Sequence, residues 1–147
     1  MKNFILLITF YLGISCTAQY PLKTDYTEIP NNSYLKDLNN ELPSFVGIYK
    51  ANYQNYIITL NINLENHKLI YGLLNNYYND LINIDYKIET TNGLIVYNTQ
   101  DQYISQTQLR HTIRSMWVED SGTKLLLYYG GTNCGVGWGE IKLTKFN

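Results

Sequence analysis

The residues of this chain that could perform nucleophilic or acid–base chemistry are few, and the sequence does not group them. Histidine and cysteine occur twice each, as His67, His111, Cys16 and Cys134. A metal site needs several His, Cys or carboxylate ligands that converge, usually at short sequence spacing, and neither histidine has such neighbours. A Cys134 nucleophile paired with His111 as its base is chemically conceivable, but no local pattern favours it. We therefore predict no metal site and no cofactor.

The carboxylates give no better indication of catalysis. A glycoside hydrolase needs two carboxyl groups that face each other about 5–10 Å apart, whereas the Asp and Glu residues here are scattered among predicted turns and polar strand faces. We predict that the chain is not an enzyme. The alternative is a small hydrolase-like enzyme of the cell envelope, with a site near His111, Arg114 and the glycine-rich segment described next.

The segment Gly130–Gly139, GGTNCGVGWG, has the most unusual local composition. It does not fit a phosphate cradle, because no Lys-Ser/Thr pair and no helix start follow it. It could be a binding loop in which Trp138 is an aromatic anchor at the mouth of a barrel. The composition favours a long hairpin connection, in which the glycines supply positive φ and Trp138 packs on the core.

Aromatic side chains are the candidate ligand-binding residues. Tyrosine occurs 15 times, and tyrosine suits a half-buried sheet surface because its ring packs while its hydroxyl stays wet. The candidates for a ligand-stacking surface are Trp138, Trp117 and Tyr49. The alternative, which is the more common use of such residues, is that they form cross-strand pairs and core contacts.

Composition and charge exclude some partners. The chain has 147 residues, 45% of them hydrophobic and 16% charged, which is enough apolar material for one packed domain. The formal net charge is −1 and no block of like charge occurs, so the basic footprint of a nucleic-acid binder is missing. We predict that the partner is an unknown protein or a small apolar ligand, and that contact with a membrane is made only through a lipid anchor.

Residues 1–18 read as a signal peptide. Lys2 is a minimal basic region, and the apolar run Phe4–Ile14 is too short to span a membrane comfortably. Cleavage before Cys16 would make that residue a lipidated N-terminus, and the preceding Gly-Ile-Ser partly matches a lipobox, with Gly where Leu is usual. Cleavage after Ala18 is the competing possibility. We predict an exported protein of the cell envelope, lipid-anchored at Cys16 at the outer membrane and otherwise periplasmic or secreted.

The elements that would position any site begin with residues 19–32, which we predict to be an extended lead-in, and continue with one β domain over residues 33–147. Tyr34–Glu41 is predicted to be a short helix, because Leu35, Leu38 and Leu42 fall on one helical face, and Pro43 is expected to end it.

Strand patterns fill the rest of the domain. Tyr56–Leu64 and Leu81–Glu89 alternate apolar and polar residues with a period of two. Turns are predicted at 65–68 and 75–80, and Asn92-Gly93 predicts a type I′ hairpin turn. Eight short strands result, at 45–51, 56–64, 69–74, 81–89, 94–99, 110–119, 124–130 and 140–146. The predicted fold is an all-β antiparallel meander barrel or strongly bent sheet of about eight strands with one short N-terminal helix.

The first third of the chain resembles a known family. The segment Ser33–Lys50, SYLKDLNNELPSFVGIYK, together with the ISCTAQ leader, is similar to a family of small exported proteins of Bacteroidota catalogued as a domain of unknown function. The match is carried by Pro30, Asn31, Tyr34, Leu35, Lys36, Asp37, Asn39, Asn40, Phe45, Val46, Gly47 and Tyr49. The resemblance implies export and anchoring, and it implies no activity and no catalytic residues.

A looser similarity is to lipocalin-like barrels, which open with a helical turn and a Gly-x-Trp motif. Here Tyr49 stands in place of the Trp after Gly47, and the late Arg of that family is missing, since the last strand carries Lys142 and Lys145. This similarity implies barrel-like geometry only. The function that we predict is a non-catalytic binding or accessory domain of the cell envelope, and a purely structural envelope protein is a further alternative.

Overall fold

The computed structural model describes residues 18–101, 110–132 and 136–146. These residues form a mixed β-sheet of nine strands that curls into a half-barrel. The predicted all-β fold is confirmed, as the bent-sheet alternative. The strands are β1 (Gln19–Pro21), β2 (Tyr34–Lys36), β3 (Gly47–Tyr53), β4 (Tyr56–Tyr71), β5 (Asn76–Thr90), β6 (Ile95–Asn98), β7 (Ile113–Glu119), β8 (Lys124–Tyr129) and β9 (Gly139–Thr144), with 3-10 turns at Leu42–Phe45, Thr99–Asp101 and Asp120–Gly122.

The half-barrel is built on a long antiparallel ribbon of β4 and β5. Its pairing runs from Tyr56 opposite Thr90 to Tyr71 opposite Asn76, with a β-bulge between Glu65 and Lys68. The turns predicted at 65–68 and 75–80 are therefore wrong. The chain passes through 65–68 as a bulge with His67 at φ +53°, and the reversal lies between Tyr71 and Asn76. Gly72 is required there, because a Cβ at this position would lie 2.5 Å from the carbonyl oxygen of Asn75.

Three separate segments share the other edge of β5 in succession. β2 pairs with it in parallel at Tyr78 and Asn79, β7 pairs antiparallel at Asn83 and Ile84, and β6 pairs at Lys87–Glu89. β7, β8 and β9 then continue the sheet as antiparallel neighbours. Because β1 and β2 also pair in parallel, the sheet is mixed rather than wholly antiparallel as predicted.

Leu35, Leu81 and Leu126 are buried outside the main hydrophobic cluster. That cluster, which we call the core, lies on one face of this sheet. The alternation predicted for β4 and β5 is confirmed there, since Ile62, Ile82 and Ile84 are almost fully buried. β8 contributes Leu125 and Leu127 to the same cluster. Leu42 and Phe45, from the first 3-10 turn, also belong to the cluster.

The predicted N-terminal helix is wrong. Tyr34–Lys36 is strand β2, and the only helical turn nearby among the described residues is the 3-10 turn Leu42–Phe45. Leu35 and Leu42 are buried, but Leu38 is 54% exposed, so the three leucines do not share a face. Pro43 is the second residue of the 3-10 turn and does not end a helix. Its fixed φ suits a first helical turn, and its missing N–H is not needed there.

The hairpin between β5 and β6 is where the Asn-Gly pair predicted it, but its turn type differs. Gly93 alone has positive φ, at +85°, and its N–H donates to the carbonyl of Thr90 at 2.9 Å. The pairing register shifts between Ile88 and Glu89. This is a three-residue loop with a glycine bulge, so the predicted type I′ turn is wrong.

Candidate functional site

A cleft of about 350 Å³ lies on the face of the sheet opposite the core. The side of the sheet follows from strand alternation: Ile82 and Ile84 point into the core, whereas Tyr77, Asn79 and Leu81 line the cleft. The same alternation places Arg114 of β7 and Tyr128 of β8 in the cleft. We call this space the lead-in cleft, because residues 22–26 cover it.

The cover of the lead-in cleft is held in place by strand pairing and ring stacking. β1 pairs with β2, and the backbone N–H of Thr24 donates to the carbonyl of Pro21 at 3.0 Å, which turns the chain back over the sheet. The ring of Tyr26 then stacks on that of Tyr77, with centroids 5.4 Å apart and planes 20° apart. The lining is therefore aromatic and aliphatic, with Leu22 contributed by the lead-in and Leu35 by β2. Leu22 also packs against the core cluster.

Arg114 places a positive charge in this apolar space. Burial lowers the pKa of its guanidinium, an effect that the charges of Glu65 and Tyr77 oppose, and an arginine keeps its proton at neutral pH in any case. Among the residues that the structure describes, no side chain or backbone group forms a hydrogen bond or an ion pair with the guanidinium of Arg114. Burial also raises the pKa of Tyr77, as does Tyr26, while Arg114 opposes this.

Two further polar groups line the cleft, and they differ in how they are satisfied. The hydroxyl of Ser115, at the bulge in β7, accepts a hydrogen bond from the backbone N–H of Ile82 at 2.8 Å. The side-chain oxygen of Asn79 is buried and has no hydrogen-bond partner within the described part of the chain. Such an atom is available to a water molecule or a ligand in the cleft.

Trp117, one of the three candidate ligand-binding residues, does lie at the lead-in cleft. Its indole N–H donates to a carboxylate oxygen of Glu119 at 3.1 Å, and the ammonium group of Lys23 lies 6.0 Å from the ring centroid. Trp117 also borders an adjoining groove of about 230 Å³ that reaches Asp37. Its ring thus separates two spaces that the lead-in covers.

The other two candidates lie elsewhere. Tyr49, on β3, is half-exposed and borders a separate groove of about 150 Å³ beside Leu143 of β9. Trp138 is 66% exposed in the β8–β9 connection, lines neither of these spaces, and does not pack on the core as the hairpin interpretation expected. The hairpin itself is formed, because the N–H of Thr132 donates to the carbonyl of Val136 at 3.0 Å.

Sequence reasoning missed Tyr26, Tyr77 and Asn79 as cleft residues. Because the polar residues 75–80 predict a turn, the alternation of Tyr77, Asn79 and Leu81 is not recognised as part of a strand. Extending the period of two from Leu81–Glu89 backward through these residues would have found that face.

A second polar cluster surrounds Asp80, which is only 5% exposed. One carboxylate oxygen accepts hydrogen bonds from the hydroxyl of Tyr34 at 2.5 Å and the backbone N–H of His67 at 2.9 Å. The other accepts from the backbone N–H of Asp37 at 3.0 Å. The ring of His67 stacks on Tyr78 with centroids 4.1 Å apart. With three donors in place, Asp80 joins the bulge of β4 to β2, which is a structural role.

This cluster explains the Tyr-Leu-Lys-Asp part of the motif that carries the family resemblance. The hydroxyl of Tyr34 donates a hydrogen bond to Asp80. The carboxylate of Asp37 accepts hydrogen bonds from the backbone N–H groups of Glu41 at 3.0 Å and Leu42 at 2.8 Å, which connects the end of β2 to the 3-10 turn. Burial and the neighbouring Asp80 carboxylate raise the pKa of Tyr34 to about 12, so its hydroxyl remains a donor throughout the physiological range.

His111 belongs to a different environment from Arg114. It is 8% exposed and does not line the lead-in cleft. Its Nδ1 lies 2.8 Å from the hydroxyl of Tyr97, whose ring stacks on Tyr86. Burial, followed by hydrogen bonds with Tyr129 and Tyr97, raises the pKa of Tyr86. Cys16 and Cys134 lie outside the described residues, so lipidation at Cys16 stays a prediction and the unfavoured Cys134–His111 pair is not tested.

Within residues 18–101, 110–132 and 136–146, no three His, Cys, Asp or Glu side chains come together in a group that could hold a metal ion. Across the same ranges, no helix has the length and apolar character needed to cross a membrane.

A family model described as a family of unknown function, DUF6705, matches residues 1–128. No curated protein and no solved structure matches the chain.

Proposed function

The chain belongs to DUF6705, a family of unknown function, and we propose that it is a non-catalytic binding protein whose lead-in cleft takes a small, mainly apolar ligand. The observation that carries this proposal is the apolar cleft of about 350 Å³ on the face opposite the core. Ligand sites are typically concave, mostly apolar and 300–1,000 Å³ in volume, with a few polar groups that orient the ligand.

The residues of the cleft fit that description. Tyr26 and Tyr77 on one side and Trp117 on the other supply aromatic surface, and Arg114 and Asn79 supply the few polar groups. A second hydrophobic layer that served stability alone would be expected to fill this space with side chains, since protein interiors are close-packed. The open volume therefore favours a ligand over a purely structural role.

The binding proposal predicts that filling the cleft abolishes uptake of a neutral apolar probe. Phenylnaphthylamine, whose fluorescence rises in apolar surroundings, should bind the purified protein saturably. In the variant Thr24→Trp, which places a large ring into the cleft from its cover, we expect at least a tenfold loss of affinity, equivalent to about 1.4 kcal/mol. The measurement is a fluorescence titration at constant protein concentration.

Thr27→Trp is the matched control for this experiment, because Thr27 lies on the same lead-in but does not line the cleft. It should bind the probe as the unmodified protein does. Absence of saturable binding to the unmodified protein, or equal affinities for the protein and the Thr24→Trp variant, would contradict the proposal.

We also propose that the protein is exported and anchored in the cell envelope through Cys16. The support is the leader sequence of residues 1–18 and the resemblance to exported proteins of Bacteroidota. We likewise propose, from the Gly-x-Tyr segment, a similarity to lipocalin-like barrels. The mass of the N-terminal peptide of the mature protein tests the anchor. A diacylated Cys16 at the N-terminus is the expected result, and a chain beginning unmodified at Gln19 would contradict it.

A further inference from the structure

We propose that the ligand of the lead-in cleft is an organic acid, whose carboxylate pairs with Arg114 while its aromatic or aliphatic body lies against the tyrosines and Trp117. This inference rests on the binding function proposed above and specifies the chemical class of the ligand.

The first step of the argument is the cost of leaving Arg114 without a partner. A guanidinium ion removed from water loses solvation free energy that only an opposite charge and hydrogen bonds can restore. Arg114 is half-buried in the wall of an apolar cleft, and none of the described residues supplies a hydrogen bond or a salt bridge to it. The planar guanidinium donates in a fork that matches a carboxylate, so a bound acid would supply what the protein does not.

The second step concerns the nearest acid of the chain itself. Glu65 influences Arg114 electrostatically, but its carboxylate oxygen lies 2.7 Å from the ammonium group of Lys68, with which it forms an ion pair. The negative charge of Glu65 is thus already paired with Lys68 on β4. Since Arg114 lines the cleft, and Glu65 is the one acidic side chain among the described residues shown to act on it, we place the anion in the cleft.

The third step concerns the ligand beyond its carboxylate. The stacked pair Tyr26 and Tyr77 and the aliphatic Ile70 and Leu81 give the cleft an apolar lining, which an inorganic anion would not use. The side-chain amide of Asn79 adds one unpartnered polar atom, and a half-turn of the amide presents either its oxygen or its nitrogen. A ligand with one charged end and an apolar body matches this arrangement of groups.

Two displacers, one with a charged and one with a neutral polar substituent on the same ring system, test this inference. Naphthoate and naphthalenemethanol share one ring system, and each is titrated against bound phenylnaphthylamine. In the unmodified protein, naphthoate should displace the probe at a concentration about ten- to a hundredfold lower than the alcohol, as expected for a charge-assisted hydrogen bond. Arg114→Met should remove this difference, Arg114→Lys should retain part of it, and Lys50→Met, which removes an exposed charge on β3, should leave it unchanged.

The outcomes separate the two proposals. If phenylnaphthylamine binds but the alcohol displaces it as well as the acid does, or if the preference for the acid survives in Arg114→Met, the organic-acid inference is wrong and the binding function stands. If phenylnaphthylamine does not bind to the unmodified protein, the binding function fails and the inference fails with it. Folding of each variant is checked by its unfolding midpoint in urea.

Discussion

Asp80→Asn should destabilise the protein by about 3 kcal/mol, because the buried carboxylate accepts three hydrogen bonds and an amide cannot replace both of its oxygens. An asparagine at this position keeps one acceptor oxygen and turns an NH₂ group toward donors. At least one of the three donors, the hydroxyl of Tyr34 or the backbone N–H groups of Asp37 and His67, then loses its acceptor in a buried position. The measurement is the free energy of unfolding from urea titration followed by tryptophan fluorescence.

Asp85→Asn is the matched control, since Asp85 lies on the same strand and, from the residues that the structure describes, receives one long side-chain hydrogen bond, at 3.4 Å from the hydroxyl of Thr99. Its free energy of unfolding should stay within about 0.5 kcal/mol of that of the unmodified protein. Equal losses in the two variants would contradict the assignment of Asp80 as the link between the β4 bulge and β2.

Leu42→Ala should cost about 3 kcal/mol of folding free energy, while Leu38→Ala should change it by less than about 0.5 kcal/mol. Leu42 has no exposed surface and packs against the core from the 3-10 turn, whereas Leu38 is 54% exposed. The substitution removes the same atoms in both variants, so the difference in free energy reports burial alone. Urea unfolding under identical conditions is the measurement.

This pair of variants also distinguishes the observed fold from the helix that the sequence predicts. On a helix over Tyr34–Glu41, the residues Leu35 and Leu38 would share the buried face with Leu42 that follows it. Losses of comparable size at Leu38 and Leu42 would therefore support the helix and contradict the strand and 3-10 turn seen in the structure.

The parts of the fold that could be predicted are those decided by local side-chain periodicity. The alternation of β4 and β5 identified Ile62, Ile82 and Ile84 as core residues, and the Asn-Gly pair located the β5–β6 hairpin. These features depend on neighbours in sequence, because a period of two places alternate residues on one face of any strand.

The parts that could not be predicted depend on contacts between residues far apart in sequence. Asp80 accepts from Tyr34 and Asp37 across more than forty positions, and this long-range pairing gives Tyr34–Lys36 its strand conformation in place of the predicted helix. The bulge at His67 likewise depends on Asp80, which accepts its N–H. Polar residues at 65–68 and 75–80 resemble turns in isolation, since nothing local shows which donor each acceptor will meet.

The residues of the candidate site likewise divide into those that could be predicted from the sequence and those that could not. Trp117 was identified as a possible binding residue from its type alone, and it lies at the lead-in cleft. Trp138, proposed from the glycine-rich segment, and Tyr49, which occupies the Trp position of the lipocalin-like Gly-x-Trp motif, lie elsewhere. Neither residue type nor a short motif determines which face of the sheet a side chain occupies. Tyr26 reaches the cleft only because β1 pairs with β2 and brings the lead-in across the sheet.

The measurement that tests the central claim most directly is a titration with naphthoate followed by the indole N–H signals in a proton–nitrogen correlation spectrum. The chain has two tryptophans, Trp117 at the cleft and Trp138 exposed in the β8–β9 connection, and the variant Trp138→Phe assigns their signals. The account predicts that the Trp117 signal shifts saturably with added naphthoate while the Trp138 signal stays in place. A shift confined to Trp138, or no shift of Trp117 at concentrations that displace phenylnaphthylamine, would contradict the assignment of the lead-in cleft as the binding site.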